Sequence, residues 1–282
     1  MKAKAFDSVF GPDRVGIGVI HLGPLPGSPG YHGGLEAVVE RAAEEALALE
    51  EAGFHGLVVE NYGDIPFLPD VVGPETVASM ALAVRAVREA SGLPVGVNML
   101  RNDARSALAV AGVCGCGFVR VNVLVGAFVT SEGIIEGRPG EVVRLRERMA
   151  ADCLIFADVM VKHGVPLGDT GISEQALDAA ERGLADCIIV TGRRTGLPPV
   201  AEDLMEAGNA LRRGTREVPV LVGSGVDPAN LESLLGLSRG IIVGSYIREG
   251  GVAGAPLSKE RAREIGGMLR NYKGKAGGER GD

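Results

Sequence analysis

The sequence predicts an α/β fold: a single (β/α)8 TIM barrel with elaborated loops at the C-terminal face of the strands. Three observations predict it. Eight short runs rich in Val and Ile recur along the 282 residues, each followed after a loop by a helix-like segment. The runs are apolar throughout rather than alternating, as in strands buried on both faces of a parallel sheet. Connections from helix to strand are short (AGFHG, SGLP, RGLAD), whereas those from strand to helix are long after the first, second, fourth and sixth units. One face thus carries the elaborated loops, as in a barrel enzyme. A doubly wound open sheet is the rival, but its G-x-G-x-x-G fingerprint is missing after the first run, where His-Leu-Gly-Pro-Leu-Pro-Gly stands instead.

In chain order the runs are VGIGVI (15–20), GLVVE (56–60), PVGVNM (94–99), FVRVNV (118–123), CLIFADV (153–159), CIIVT (187–191), VPVLVG (218–223) and GIIVGS (240–245). Amphipathic stretches at 35–53, 74–92 and 173–183 read as helices. Gly53 and Gly92 stand where a left-handed C′ residue ends a helix. Ser173, followed by Glu174 and Gln175, reads as a cap for the third. The barrel domain spans 1–272, and the Gly-rich, charged tail 273–282 is expected to fray.

Composition narrows function. The chain is 46% hydrophobic and 23% charged, which is globular, and its net charge of −7 comes without a Lys/Arg cluster interleaved with aromatics. A nucleic-acid polymer is therefore not the expected partner. No apolar run approaches the roughly 18 residues of a membrane span, and the N-terminus lacks the apolar core of a secretory signal. The expectation is a cytoplasmic protein that takes a small molecule: a nucleoside, a nucleotide or a sugar phosphate. Barrels of this type often associate, so a homo-oligomer is expected.

A barrel's chemistry sits where its strands finish, and all eight runs finish in polar groups: His21; Glu60 and Asn61; Asn98, then Arg101; Arg120 and Asn122; Asp158, then Lys162 and His163; Thr191; Ser224; Ser245. Glu60 and Asp158, on the second and fifth runs, could face each other as a general acid/base pair or as stabilisers of an oxocarbenium ion. Asp64 follows in the loop NYGDIPF. Asp158 and Lys162 point the same way if the strand stays extended, making Lys162 a counter-ion, a solvated surface lysine or a Schiff-base nucleophile. Asn98 and Thr191 either bind a ligand or cap loop backbone. LVGSGVDPANL and GIIVGSYIREGG end the last two strands in Gly-Ser turns, with a helix expected from Asp227-Pro228. Gly223, Ser224, Gly225, Gly244 and Ser245 are the candidate phosphate or anion site.

His21 and His32 raise a metal site. Metal-dependent barrels usually carry paired histidines on the first strand and more on later ones, and this chain has four histidines in all. His21 is read as a substrate hydrogen-bonder or acid/base group, and His32 as peripheral. No cofactor is expected; a divalent metal or a flavin, whose phosphate would use the same end of the barrel, is the lesser alternative. Residues 19–34 are read as the end of the first strand and a lid over the mouth, stiffened by Pro24, Pro26 and Pro29. Cys114, Cys116, Cys153 and Cys187 gather at strand beginnings on the opposite face and read as buried thiols. A disulfide between two of them is expected if the source is a hyperthermophile.

HLGPLPGSP, VENYGD, NMLRND, RVNV, ADVMVKH and GSGV, strung in this order over most of the chain, resemble the BtpA/SgcQ family. The resemblance implies a TIM barrel related to the phosphate-binding barrels. It supports His21, Glu60, Asn61, Asp64, Asn98, Arg101, Asn122, Asp158, Lys162 and His163 as site candidates, without assigning roles. The family's name derives from a role in photosystem I accumulation, which implies a non-catalytic assembly factor as one alternative. The residues favour an enzyme that hydrolyses an N-glycosidic bond, nucleosidase-like, with Glu60 or Asp158, His21 and Lys162 in the chemistry. A sugar-phosphate aldolase or isomerase is the enzymatic alternative.

Overall fold

The computed structural model describes residues 3–192 and 196–272; the tail expected to fray lies outside them. In chain order the strands are β1 (Val15–His21), β2 (Gly56–Glu60), β3 (Val95–Asn98), β4 (Phe118–Val121), β5 (Ala127–Thr130), β6 (Gly133–Glu136), β7 (Leu154–Val159), β8 (Gly164–Pro166), β9 (Cys187–Val190), β10 (Val220–Val222) and β11 (Gly240–Val243). Eight of them close in parallel in the order β1-β11-β10-β9-β7-β4-β3-β2, while β6-β5-β8 form a small separate sheet. Each of the eight predicted runs supplies one barrel strand. The helices are α1 (Ala3–Phe10), α2 (Leu35–Ala52), α3 (Pro74–Ala90), α4 (Ala104–Cys114), α5 (Pro139–Met149), α6 (Ile172–Leu177), α7 (Ala201–Arg213), α8 (Leu231–Leu237) and α9 (Lys259–Asn271). Among the described residues, no helix is long and apolar enough to cross a membrane.

The barrel interior is a packed core. Ile17, Val19, Val58, Phe118, Leu154, Phe156, Ile189, Leu221 and Ile242 fill it, and Phe6 of α1 joins them from below. Phe118 and Phe156 stack with ring centroids 4.5 Å apart, and Phe6 stacks on Phe156 at 5.7 Å. The ring of Phe118 has room because residue 96 is glycine: a Cβ there would stand 2.2 Å from it. Phe6, Val9 and Phe10 fall at i, i+3 and i+4, so one face of α1 closes the bottom of the barrel. No helix was expected over residues 3–10, although that spacing announces one.

Several local expectations are corrected. Gly53 does cap α2 in the left-handed region, at φ 100°. Gly92 caps nothing: α3 ends at Ala90, with Ser91 in an extended conformation. The cap of α6 is Gly171, and the Ser173 hydroxyl donates to Glu206 instead. The helix expected from Asp227-Pro228 begins at Leu231, because the Asp227 carboxylate accepts from the amides of Ala229 and Asn230 and holds a turn first. The loop after β7 is also long and supplies β8, which pairs with the hairpin β5–β6. All four cysteines are buried and free, so no disulfide forms. Burial drives the thiols of Cys116 and Cys153 up to about 12, which makes them inert.

Candidate active site

Register builds the floor of the site. His21 pairs with Glu60, Glu60 with Asn98, and Asn98 with Arg120 across four neighbouring strands. Partners in a parallel ladder share a face, so all four side chains turn toward the barrel axis above the apolar core. One further step along β4 and β7 places Asn122 level with Asp158 on the same side. These six residues line a cavity of about 360 Å³ at the C-terminal mouth, together with Arg101, Lys162, His163, the hairpin tip Ser131-Glu132 and the turns Gly223–Asp227 and Gly244–Tyr246.

Glu60 and Asp158 do not confront each other directly. The buried guanidinium of Arg120 stands between them. Its Nε and Nη2 reach the two oxygens of Asp158 at 2.9 Å each, and its Nη1 reaches Glu60 Oε1 at 3.1 Å. Burial alone would lower the pKa of Arg120, but the two carboxylates more than reverse this, so the guanidinium is locked in its charged form. Asp158 accepts three hydrogen bonds in all, because its Oδ2 also accepts from Asn122 Nδ2 at 2.9 Å. Glu60 Oε2 receives no donor among the described residues. The symmetrical carboxylate pair expected from sequence is thus unequal: Asp158 positions Arg120, and Glu60 keeps an oxygen for the cavity.

Lys162 reaches the mouth by a different route from the one expected. The strand ends at Val159, and Met160 has φ 52°, so simple alternation from Asp158 fails. The loop nevertheless turns the ammonium inward, where its closest acceptor is the Gly223 carbonyl at 3.5 Å. Burial, reinforced by Arg120, pulls its pKa down to about 8 against the pull of Asp158 and Glu60. His163 is exposed on the rim.

His21 is buried, and its ring lies 4.5 Å from that of Tyr62. Its Nδ1 accepts from the Gly254 amide at 3.3 Å, which leaves the proton on Nε2. Burial, together with Arg248, Lys162 and Arg120, holds its pKa well below the usual histidine value. His21 is therefore a neutral hydrogen-bond donor at neutral pH. Arg248, which sequence reasoning missed, is 0% exposed; it donates to Glu45 Oε2 at 2.7 Å and to the Val19 carbonyl. Nothing in a lone arginine beyond the last strand announces such burial.

Three candidates serve loops rather than the cavity. Asn61 accepts from the Leu100 amide at 2.7 Å and donates to the Leu100 carbonyl and to Asp64, whose other oxygen accepts from the Leu25 amide at 2.8 Å. Thr191 donates to the Met160 carbonyl at 3.4 Å. The loop 22–34 is held down by Asp64 and contributes no residue to the cavity wall, so it is not the lid; His32 is exposed on it. The hairpin β5–β6 covers the mouth instead. Its Glu132 lies 3.7 Å from Arg101, which donates to the Lys162 carbonyl at 2.6 Å. A two-residue turn between short apolar runs, VT-SE-GI, is the signal that marks this hairpin.

At the opposite wall, the Ser224 hydroxyl accepts from the Gly192 amide and donates to the Leu197 carbonyl, so it braces a loop. Gly225 has φ 69°, and a Cβ there would stand 2.0 Å from Pro198 N. Gly244 approaches His21 so closely that a Cβ would lie 3.3 Å from Cε1. Among the described residues, no protein acceptor takes the amides of Gly225, Gly244 or Ser245. No three His, Cys, Asp or Glu side chains come together there as a metal would require, again among the described residues.

The model of the BtpA family matches residues 13–270. The chain belongs to the BtpA family. It is 47% identical to the photosystem I biogenesis protein BtpA of Synechocystis over 83% of this chain and 80% of that one. It is 45% identical to an uncharacterized protein of Thermococcus kodakarensis, over 88% of this chain and 92% of the other. Its fold is that of tryptophan synthase from Mycobacterium tuberculosis (TM-score 0.59, 17% identity, 95% and 98% of the two chains) and of N-(5′-phosphoribosyl)anthranilate isomerase from Pyrococcus furiosus (TM-score 0.53, 13% identity, 93% and 100%). As a BtpA-family barrel, it shares its architecture with enzymes.

Proposed function

We propose that this BtpA-family barrel is an enzyme acting on a ribosyl or sugar-phosphate compound, and that the bond it breaks is N-glycosidic. The observation that carries the reading is that one cavity holds both a carboxylate oxygen without a protein donor, Glu60 Oε2, and an ammonium, Lys162, whose pKa is about 8. A carboxylate bonded on one oxygen to Arg120 and open on the other suits an electron-deficient anomeric carbon and an incoming water. An ammonium with a pKa near 8 is mostly protonated at pH 7 and suits protonation of a departing base. His21, neutral with its proton on Nε2, donates a hydrogen bond without moving a proton. Asp158 and Asn122 hold Arg120, and through it Glu60, in place.

The anion end is proposed at Gly225, Gly244 and Ser245, with Gly223 and Ser224 supplying the turn; there a 5′-phosphate would meet backbone amides. A fold neighbour named for a phosphoribosyl compound is in keeping with a phosphorylated ligand. The test is incubation with a panel of nucleosides and nucleotides, with free base followed by chromatography. Release of base that Glu60→Gln abolishes is expected; no release from any member sinks the reading.

One observation favours a second reading. The same pKa of about 8 gives Lys162 an appreciable amine fraction, which suits a Schiff-base aldolase. Borohydride trapping with carbonyl sugar phosphates separates the two, since only the aldolase leaves a mass adduct on Lys162. The name of the Synechocystis relative suggests an assembly factor instead; the charged, enclosed mouth is what an enzyme needs and a scaffold does not.

A further inference from the structure

Asn98 lies at the floor of the mouth, 1% exposed, and neither its Oδ1 nor its Nδ2 has a hydrogen-bond partner in the protein. On the next strand, Asn122 gives its Nδ2 to Asp158 and leaves its Oδ1 without a partner. Buried polar atoms left unpaired cost stability, and an apolar side chain of the same size would remove that cost. Three such atoms on adjacent strands, at one end of one cavity, therefore point to a ligand that pairs them.

The chemistry of that ligand follows from the direction of the missing bonds. Asn98 Oδ1 and Asn122 Oδ1 accept, as does Glu60 Oε2 beside them; Asn98 Nδ2 donates. The ligand must bring at least two hydrogens to this floor and accept one. A phosphate at neutral pH brings acceptors and cannot satisfy the unpaired amide oxygens of such a floor, which leaves it to the Gly225 and Ser245 turns across the mouth. Two adjacent hydroxyls fit, because each donates one hydrogen and accepts another.

We infer that Asn98 and Asn122 form a clamp for a vicinal diol, so that the protein selects ribo-compounds over their 2-deoxy counterparts. The inference rests on the reading of the mouth as a sugar-phosphate site, but it concerns binding and not bond cleavage. The sugar lies with its diol on β3 and β4 and its phosphate toward β10 and β11. Removing one hydroxyl leaves an amide oxygen buried and unpaired again, and discrimination is about tenfold to a hundredfold.

Isothermal titration with D-ribose 5-phosphate and 2-deoxy-D-ribose 5-phosphate tests it. The wild-type protein is expected to bind the ribo-compound at least about tenfold more tightly. In Asn98→Leu the ratio falls to near one while the unliganded melting temperature stays level or rises, since the orphaned amide is gone. Asn98→Ala, which removes both amide atoms by truncation, tests the same loss without adding an apolar side chain to the floor. Equal binding of the two sugars by the wild type, binding of neither, or a ratio that survives both substitutions overturns the clamp. Base release from nucleosides is scored separately. Release without a ribo/deoxy difference overturns the clamp and leaves the reaction; a difference without release does the reverse.

Discussion

Arg120 and Asp158 meet in a two-pronged ion pair, Nε to Oδ1 and Nη2 to Oδ2 at 2.9 Å each, from adjacent strands of the barrel and largely buried. Its consequence reaches beyond the pair. With three hydrogen bonds on its two oxygens, Asp158 is spent mainly on holding Arg120 and Asn122, and the third arm of Arg120 fixes Glu60. Removing Asp158 leaves Arg120 buried and charged with only Glu60 to pair it. Asp158→Ala is expected to cost about 3–5 kcal/mol of stability in urea unfolding. Glu60→Gln, which leaves the two-pronged pair intact, should cost much less stability while abolishing turnover.

Lys162 gives the reaction a pH signature. Burial holds its pKa at about 8 in the folded protein, against about 10.4 in the unfolded chain. If it donates a proton in the rate-limiting step, kcat falls as pH rises through about 8; a nucleophilic amine gives the opposite slope. The proposed reaction predicts the fall. For stability, the unfolded chain binds the extra proton between about pH 8 and 10.4, so the contribution of this group to folding improves across that window and is at its worst below it. Lys162→Met should flatten that part of the stability profile.

His21 is expected to leave no inflection near its usual range. Its pKa is held well below the ordinary value by burial and three neighbouring cations, and its Nδ1 is taken by the Gly254 amide. Nitrogen-detected NMR should find the Nε2–H form unchanged between pH 6 and 8. A titration centred near 6.5 would contradict the tautomer assignment and its role as a fixed donor.

Asn61 joins two loops through Leu100 and Asp64, and it does so without lining the cavity. Asn61→Ala should therefore destabilise by about 1–3 kcal/mol, the cost of unpaired buried groups. Its effect on KM should follow the displacement of Arg101 rather than the loss of a substrate contact. A full loss of activity in a stably folded Asn61→Ala protein would place the residue in the site after all.

Gly225 offers a test of the anion wall. At φ 69°, and with Pro198 N only 2.0 Å from the position of a Cβ, alanine demands both a strained backbone and a shift of the 197–198 segment. The left-handed conformation alone costs about 1–2 kcal/mol. Gly225→Ala is expected to lower the melting temperature and weaken binding of sugar phosphates, measured by titration, more than that of the unphosphorylated sugars.

Phe6 plugs the bottom of the barrel, 1% exposed and stacked on Phe156. Phe6→Ala should cost about 3–5 kcal/mol by denaturant unfolding. Because the plug sits at the opposite end from the mouth, the remaining folded protein should keep its affinity for ligands.

The barrel was legible because its cause is repeated eight times. A strand buried on both faces must be apolar throughout, and a βα unit must alternate, so the pattern survives small errors at each end. The polar strand ends were legible for the same reason: one residue of wrong polarity after each apolar run stands out. His21, Glu60, Asn98, Arg120, Asn122, Asp158, Lys162 and Arg101 all line one cavity. Asn61, Asp64 and Thr191 have the same chemistry and the same placement in the chain, yet their bonds go to backbone. No rule of composition separates these two groups, because a side chain's partner depends on loops folded from elsewhere.

The hairpin β5–β6 and the helix α1 are short, and a few residues of periodic pattern carry little weight beside eight long repeats. Both nevertheless bound the site, one as its cover and the other as the floor of the core beneath it.

By itself the sequence determined the barrel, the end at which chemistry is placed, and the residue types available there, since these depend on local period and on the order of elements. Only the tertiary structure decided that Arg120 stands between the two carboxylates, that Lys162 turns inward past a left-handed Met160, and that Asn98 is buried without a partner. Those are facts about distance between strands and loops remote in the chain. Charge pairing, desolvation and hydrogen-bond satisfaction act over a few ångströms of space, and sequence records only neighbours along the chain.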